Sequence, residues 1–108
     1  METNTELMDK DMEKKVDFLM KEIKKALPDA TILLRKEIRS LYKFRIDREE
    51  RPSCWLIFTW ECLLNHNEHN IIDLLEREKV FESVFNTLNQ MKLLIIESRG
   101  KICLEKQT

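Results

Sequence analysis

Leu41–Thr59 reads LYKFRIDREERPSCWLIFT, two short apolar alternations around a charged, proline-bearing connection. In the first, Tyr42, Phe44 and Ile46 alternate with Lys43, Arg45 and Asp47. Side chains of a strand point to opposite faces with a period of two, so the three apolar residues share a core face and the basic pair lies on the other. The second, Cys54 to Phe58 with Thr59, has Trp55 and Ile57 on one face and Leu56 and Phe58 on the other, as suits a central strand. Asp47 to Ser53, with Pro52, is the connecting loop. The stretch predicts a hairpin with one wet, basic face, and it carries no catalytic motif.

Outward from this hairpin, residues before it read as a helix and a further strand. Met8, Met12, Val16, Leu19, Ile23 and Leu27 recur at steps of three and four. At 100° per residue they form one stripe, with Lys10, Lys14, Lys21, Lys24 and Lys25 largely away from it. Thr3-Asn4-Thr5-Glu6 offers a capping box and Pro28 a stop. Phe18 lies off the stripe and is expected as a flanking core contact. Ala30 to Glu37 predicts a strand, but Glu37-Ile38-Arg39-Ser40 has neither Gly nor Asn to make a hairpin turn. One long bent strand over 30–46 is the alternative.

After the hairpin, Thr59 is an N-cap candidate, and Trp60, Leu63, Leu64, Ile71, Leu74 and Leu75 share one side of a helix. The apolar arc rotates by roughly a quarter turn for Phe81, Val84, Phe85, Leu88 and Met91, which predicts a bend or break near Glu76-Arg77-Glu78-Lys79. Asn65-His66-Asn67 is a second weak point. Leu93 to Glu97 and Ile102 to Glu105 flank Ser98-Arg99-Gly100-Lys101 and predict a closing β-hairpin. The expected fold is therefore α+β: helix, antiparallel sheet of three strands, bent or paired helix, C-terminal hairpin, with helices mainly on one sheet face. One domain over 1–108 is expected, with about 1–5 and 106–108 flexible.

Composition bounds the function. A chain of 108 residues at 43% hydrophobic can bury one ordinary core. No apolar run approaches the roughly 18 residues needed to span a bilayer, and the acidic N-terminus is unlike a secretory signal. Three cysteines, Cys54, Cys62 and Cys103, are an odd number without close pairing, which points to reduced thiols and a cytoplasmic location. A single glycine, Gly100, leaves little material for a phosphate-cradling loop. The net charge of −1 hides a segment, Arg35 to Arg51, with seven basic and four acidic residues.

Three constellations could carry function. Cys62, His66, His69 and Asp73 are spaced by four, three and four, so a continuous helix would align four possible metal ligands. There is no CxxC or HExxH motif, and the asparagines between them threaten the alignment. No cofactor is expected. A nucleophilic site would need Cys62 with His66 or His69 plus an orienting group and oxyanion donors, for which nothing speaks. Arg39, Lys43, Arg45, Arg48 and Arg51 could contact the phosphates of a nucleic acid. Against that, Tyr42 and Phe44 point away from the arginines, and the pI is near 6.2.

The function expected is a non-enzymatic protein-binding module, a small regulatory adaptor or inhibitor of a larger assembly. Its partner is another protein, met through Arg39, Lys43, Arg45, Arg48 and Arg51, with nucleic-acid binding as the alternative. Homodimerisation is expected through Leu93, Ile95, Ile96, Ile102 and Leu104, helped by the bulk of Trp55, Phe58 and Trp60, because a hairpin apolar on both faces must be covered on both.

Overall fold

A computed structural model describes the backbone of residues 4–37, 40–86 and 91–106 and the side chains of 10–37, 40–86 and 92–102. The elements run α1 (Asn4–Ala26), β1 (Thr31–Glu37), β2 (Leu41–Asp47), β3 (Cys54–Thr59), α2 (Trp60–Asn65), α3 (Glu68–Arg77), α4 (Val80–Phe85), β4 (Met91–Glu97) and β5 (Gly100–Lys106). The α+β class holds. The expectation of three strands plus a separate hairpin does not, because all five strands form one sheet in the order β1-β2-β3-β4-β5. β3 and β4 pair in parallel, Cys54 opposite Lys92 through Phe58 opposite Ile96, while the other neighbours are antiparallel. A parallel pair requires a crossover, and α2, α3 and α4 are that crossover.

β1 and β2 pair along their full length, from Thr31 opposite Asp47 to Glu37 opposite Leu41, so 30–46 is a hairpin and not one bent strand. Ser40 helps close it without Gly or Asn: its N–H donates to Glu37 O at 3.0 Å and its carbonyl accepts from Trp60 N at 2.9 Å. The end of β3 is thereby tied to the β1–β2 connection. Pro28 follows α1 as the pattern requires, with Leu27 N still bonded to Ile23 O at 2.9 Å. Thr3 of the expected capping box lies outside the described residues.

The register sorts the sheet into two faces. Ile32, Leu34, Tyr42, Phe44, Ile46, Cys54, Leu56, Phe58, Leu94 and Ile96 point to one side. There the α1 stripe Met12, Val16, Leu19, Ile23 and Leu27 meets Cys62, Leu63, Ile71, Leu74, Leu75, Val80 and Val84 of the crossover helices in a single apolar cluster. Phe44 and Phe58 form an edge-to-face pair with centroids 5.9 Å apart at its centre. Phe18 packs on the flank of this cluster, as its position off the stripe implies.

The expected helix over 60–91 is broken twice, at both weak points. Asn67 caps α3, its Oδ1 accepting from Asn70 N at 2.8 Å, and Lys79 adopts the left-handed conformation (φ 51°) before α4. Such short helices leave most of their last carbonyls without intrahelical donors. Cations fill the gap: Lys15 Nζ donates to Leu63 O (2.7 Å), Arg48 Nη2 to Val84 O (2.7 Å) and Lys92 Nζ to Ser83 O (3.1 Å). Both lysines are buried, so the aliphatic stem packs in the core while the ammonium offsets the negative end of a helix. The rotations introduced by the breaks leave Leu64 (37% exposed) and Phe85 (49%) turned outward, although both belong to the apolar arcs of the sequence.

Candidate functional site

Among the described residues, the opposite face of the sheet contributes nothing to the apolar cluster that holds the helices. Its cross-strand rows follow from the register: Leu33, Arg45, Trp55, Leu93 and Leu104 form one, Arg35, Lys43, Ile57, Ile95 and Ile102 the next. The face is thus graded in chemistry. β1 and β2 bring three of their four side chains in these rows as Arg or Lys, while β3, β4 and β5 bring only apolar ones. Trp55, Leu93 and Ile95 are half-buried, Ile102 is 43% exposed and Leu33 57%. Ile57, between them, is 8% exposed. A partly exposed apolar surface flanked by charge is the usual mark of a contact surface.

Of the residues expected to make apolar contacts, Leu93, Ile95 and Ile102 lie on this face. Ile96 does not: it is fully buried on the helix side, because one residue along a strand exchanges faces. Phe58 and Trp60, expected to add bulk here, likewise pack in or against the helix-side core. Leu104 shares the outer row by register, and its side chain lies outside those described. Trp55, also expected to add bulk, does lie on this face, and Ile57 joins it there without having been among the expected contacts. Each pairs across the hairpin with a basic residue, Trp55 with Arg45 and Ile57 with Lys43, and that pairing assigns them to the wet face.

The basic group is less open than its charge suggests. Lys43 Nζ lies 2.7 Å from Glu37 Oε1, and Arg45 Nε 3.2 Å from Asp47 Oδ1, which Ser53 Oγ also reaches at 2.5 Å. Arg48, bonded to the end of α4, also lies over the Phe85 ring at 5.6 Å and so serves the fold. Arg51 is exposed in the turn after Arg48, and Arg39 lies outside the described residues.

Cys62, His66, His69 and Asp73 are not brought together. The break at Asn65–Asn67 turns Cys62 into the core, holds His66 Nδ1 on Cys62 O at 2.7 Å, and leaves His69 in an exposed contact with Asp73 at 3.5 Å. Among the described residues no group of three or more His, Cys, Asp or Glu could hold a metal ion. Burial, reinforced by the Glu97 carboxylate, pushes the Cys62 thiol up to about 11. An activated nucleophile needs the opposite shift.

Of the concavities among the described residues, two lie at the end of the sheet and between the helices. One, about 670 Å³ and open, sits at the carboxyl ends of β3 and β4 between Ser40, Thr59, Trp60, Glu61, Glu97, Ser98 and Arg99. Thr59 Oγ1 is engaged there as the α2 cap, accepting from Cys62 N at 3.2 Å. The other, about 360 Å³, separates Glu22 of α1 from Ile72, Leu75 and Glu76 of α3 and from Phe81 and Glu82 of α4. Among the described residues no helix is long and apolar enough to cross a membrane. No protein-family model matches the chain, and comparison with curated proteins and with solved structures gave no match.

Proposed function

We propose that this chain is a non-enzymatic protein-binding module, a regulatory or accessory protein that acts through the helix-free face of its sheet. The observation that carries this reading is the apolar field of Trp55, Ile57, Leu93, Ile95 and Ile102 on a sheet whose helices all contribute to the other side. The partner is a protein, since only another folded surface or an ordered peptide matches so broad and flat an apolar area. Lys43, Arg45 and Arg35 border that field and give orientation and encounter rate more than affinity. Cys54 and Cys62, both buried, suit a reducing, cytoplasmic setting.

The test compares two variants for capture of native partners, with folding checked by circular dichroism. Ile95→Lys, placed in the apolar field, should abolish capture. The double reversal Lys43→Glu, Arg45→Glu should slow association and flatten its salt dependence while leaving capture at low salt. Capture unchanged by Ile95→Lys would refute the reading. The second reading, nucleic-acid binding through Arg35, Lys43 and Arg45, requires the reverse pattern: salt-steep binding to random oligonucleotides that the double reversal removes.

A further inference from the structure

Resting on that reading, we propose that the partner on the open face is a second copy of this chain, packed sheet on sheet about a two-fold axis that runs along β4.

The charge gradient selects the axis. Face-to-face sheets related by a two-fold axis across the strands would set β2 on β2, with Lys43 and Arg45 against their own counterparts. Like charges brought together out of water repel and lose hydration, so this arrangement is disfavoured. An axis along β3 would press β2 of each copy onto β4 of the other, burying the same cations on Leu93 and Ile95. An axis along β4 avoids both costs. It sets β4 on β4 and β3 on β5, so that Ile57 of one copy meets Ile102 of the other and Trp55 meets the next row of β5. β1 and β2 then overhang the partner, with Arg35, Lys43 and Arg45 in solvent beside Glu37 and Asp47.

The area supports a second copy at this position. Three strands at ~4.8 Å spacing and seven residues at ~3.3 Å rise project ~330 Å² per copy. A contact of roughly this size on each side, under ~1,200 Å² for the pair, is the class of weak and transient association. A reversible dimer in the micromolar range is the expected result, with aligned sheets ~10 Å apart.

This axis has a consequence that no other arrangement shares: each outward residue of β4 faces its own counterpart. In a Cys103→Ser background, with Cys54 and Cys62 buried, Leu93→Cys and Ile95→Cys should therefore each give a covalent dimer with a short bis-maleimide. Lys43→Cys should not. Sedimentation at high micromolar concentration should show a wild-type dimer, and Ile95→Lys should raise the dissociation constant by roughly a hundredfold or more, the loss expected on placing an unpaired charge at a buried contact.

Cross-linking at Lys43→Cys without cross-linking at both β4 positions would overturn the axis. A wild-type monomer at high micromolar concentration would overturn the second copy. If that monomer still loses partner capture on Ile95→Lys, the binding face stands and its occupant is another protein; if capture is indifferent to Ile95→Lys, both readings fall.

Discussion

The two faces of the sheet are built from the same strands and nearly the same residue types, yet they differ in almost every physical respect. Phe44, Ile46, Leu56, Phe58, Leu94 and Ile96 are essentially inaccessible on one side. One residue along each strand, Arg45, Trp55, Ile57, Leu93 and Ile95 form a surface to which, among the described residues, no helix contributes to the apolar cluster. What separates them is the traffic of connections. α1 and the β3–β4 crossover both come down on one side, so among the described residues the helices compete for one face. Hydrophobicity in a strand therefore reports a need for cover, and topology decides whether the chain meets that need itself.

The largest expected effect contrasts neighbours across this divide. Phe44→Ala removes a ring that is fully buried and stacked edge-on against Phe58, and should cost about 3 to 5 kcal/mol in chemical denaturation. Lys43→Ala, one residue away, should cost about 0.5 kcal/mol or less, because a partly exposed ion pair with Glu37 contributes little. Comparable losses at the two positions would break the assignment of faces.

Next in size is Lys15→Met, which asks how the helix side tolerates three short helices. Methionine keeps the apolar stem but leaves Leu63 O, at the end of α2, without its donor. A buried unsatisfied carbonyl costs about 1 to 3 kcal/mol. A stability unchanged within error would mean that water replaces the ammonium and that the buried lysine is not what holds α2.

The helix side of the sheet also constrains the last hairpin. Gly100 has φ +154°, and a Cβ there would come within 2.6 Å of Glu78 Oε1, the atom that accepts Lys101 N at 2.8 Å. Gly100→Ala should therefore destabilise by about 1 to 2 kcal/mol, through backbone strain and displacement of Glu78 from the β5 backbone. Glu78→Ala combined with Gly100→Ala should cost less than the sum of the two single changes, since the steric conflict exists only when both side chains are present.

Much of this was legible in the chain. The alternation of Tyr42, Phe44 and Ile46 orients β2, Thr59 marks a helix start, Asn65-His66-Asn67 a weak point, and the quarter-turn shift of the apolar arc announces the break at Lys79. The pairing of β3 with β4 was not, because it joins segments more than thirty residues apart and no local propensity encodes it. Without that pairing the C-terminal hairpin looks like a separate unit, and Ile95 cannot be told from Ile96. The metal-like quartet failed for a local reason that the sequence did contain: Asn65 and Asn67 bracket a helix break, so the four-three-four spacing never acts on one continuous helix. Arg48 was misleading in another way, its charge being committed to the carbonyl of Val84 by a contact only the folded chain reveals.

The smallest expected effect sharpens the comparison within the open face itself. Leu33 is its most exposed large apolar residue, at 57%, and sits on the edge strand β1 beside Arg45. Leu33→Lys buries no charge, because the added ammonium extends into solvent, so stability should move by no more than about 0.5 kcal/mol. A lysine on an exposed edge strand also discourages edge-to-edge pairing, so solubility should hold or improve. Association should be unaffected as well, since β1 overhangs the proposed interface. Ile95→Lys makes the same chemical change two strands beyond β2, in the centre of the apolar field, and should dissociate the dimer. If sedimentation showed Leu33→Lys dissociating the protein as strongly as Ile95→Lys, the interface would have to extend across the whole sheet, and the division of this face into an apolar contact and a solvated basic margin would be wrong.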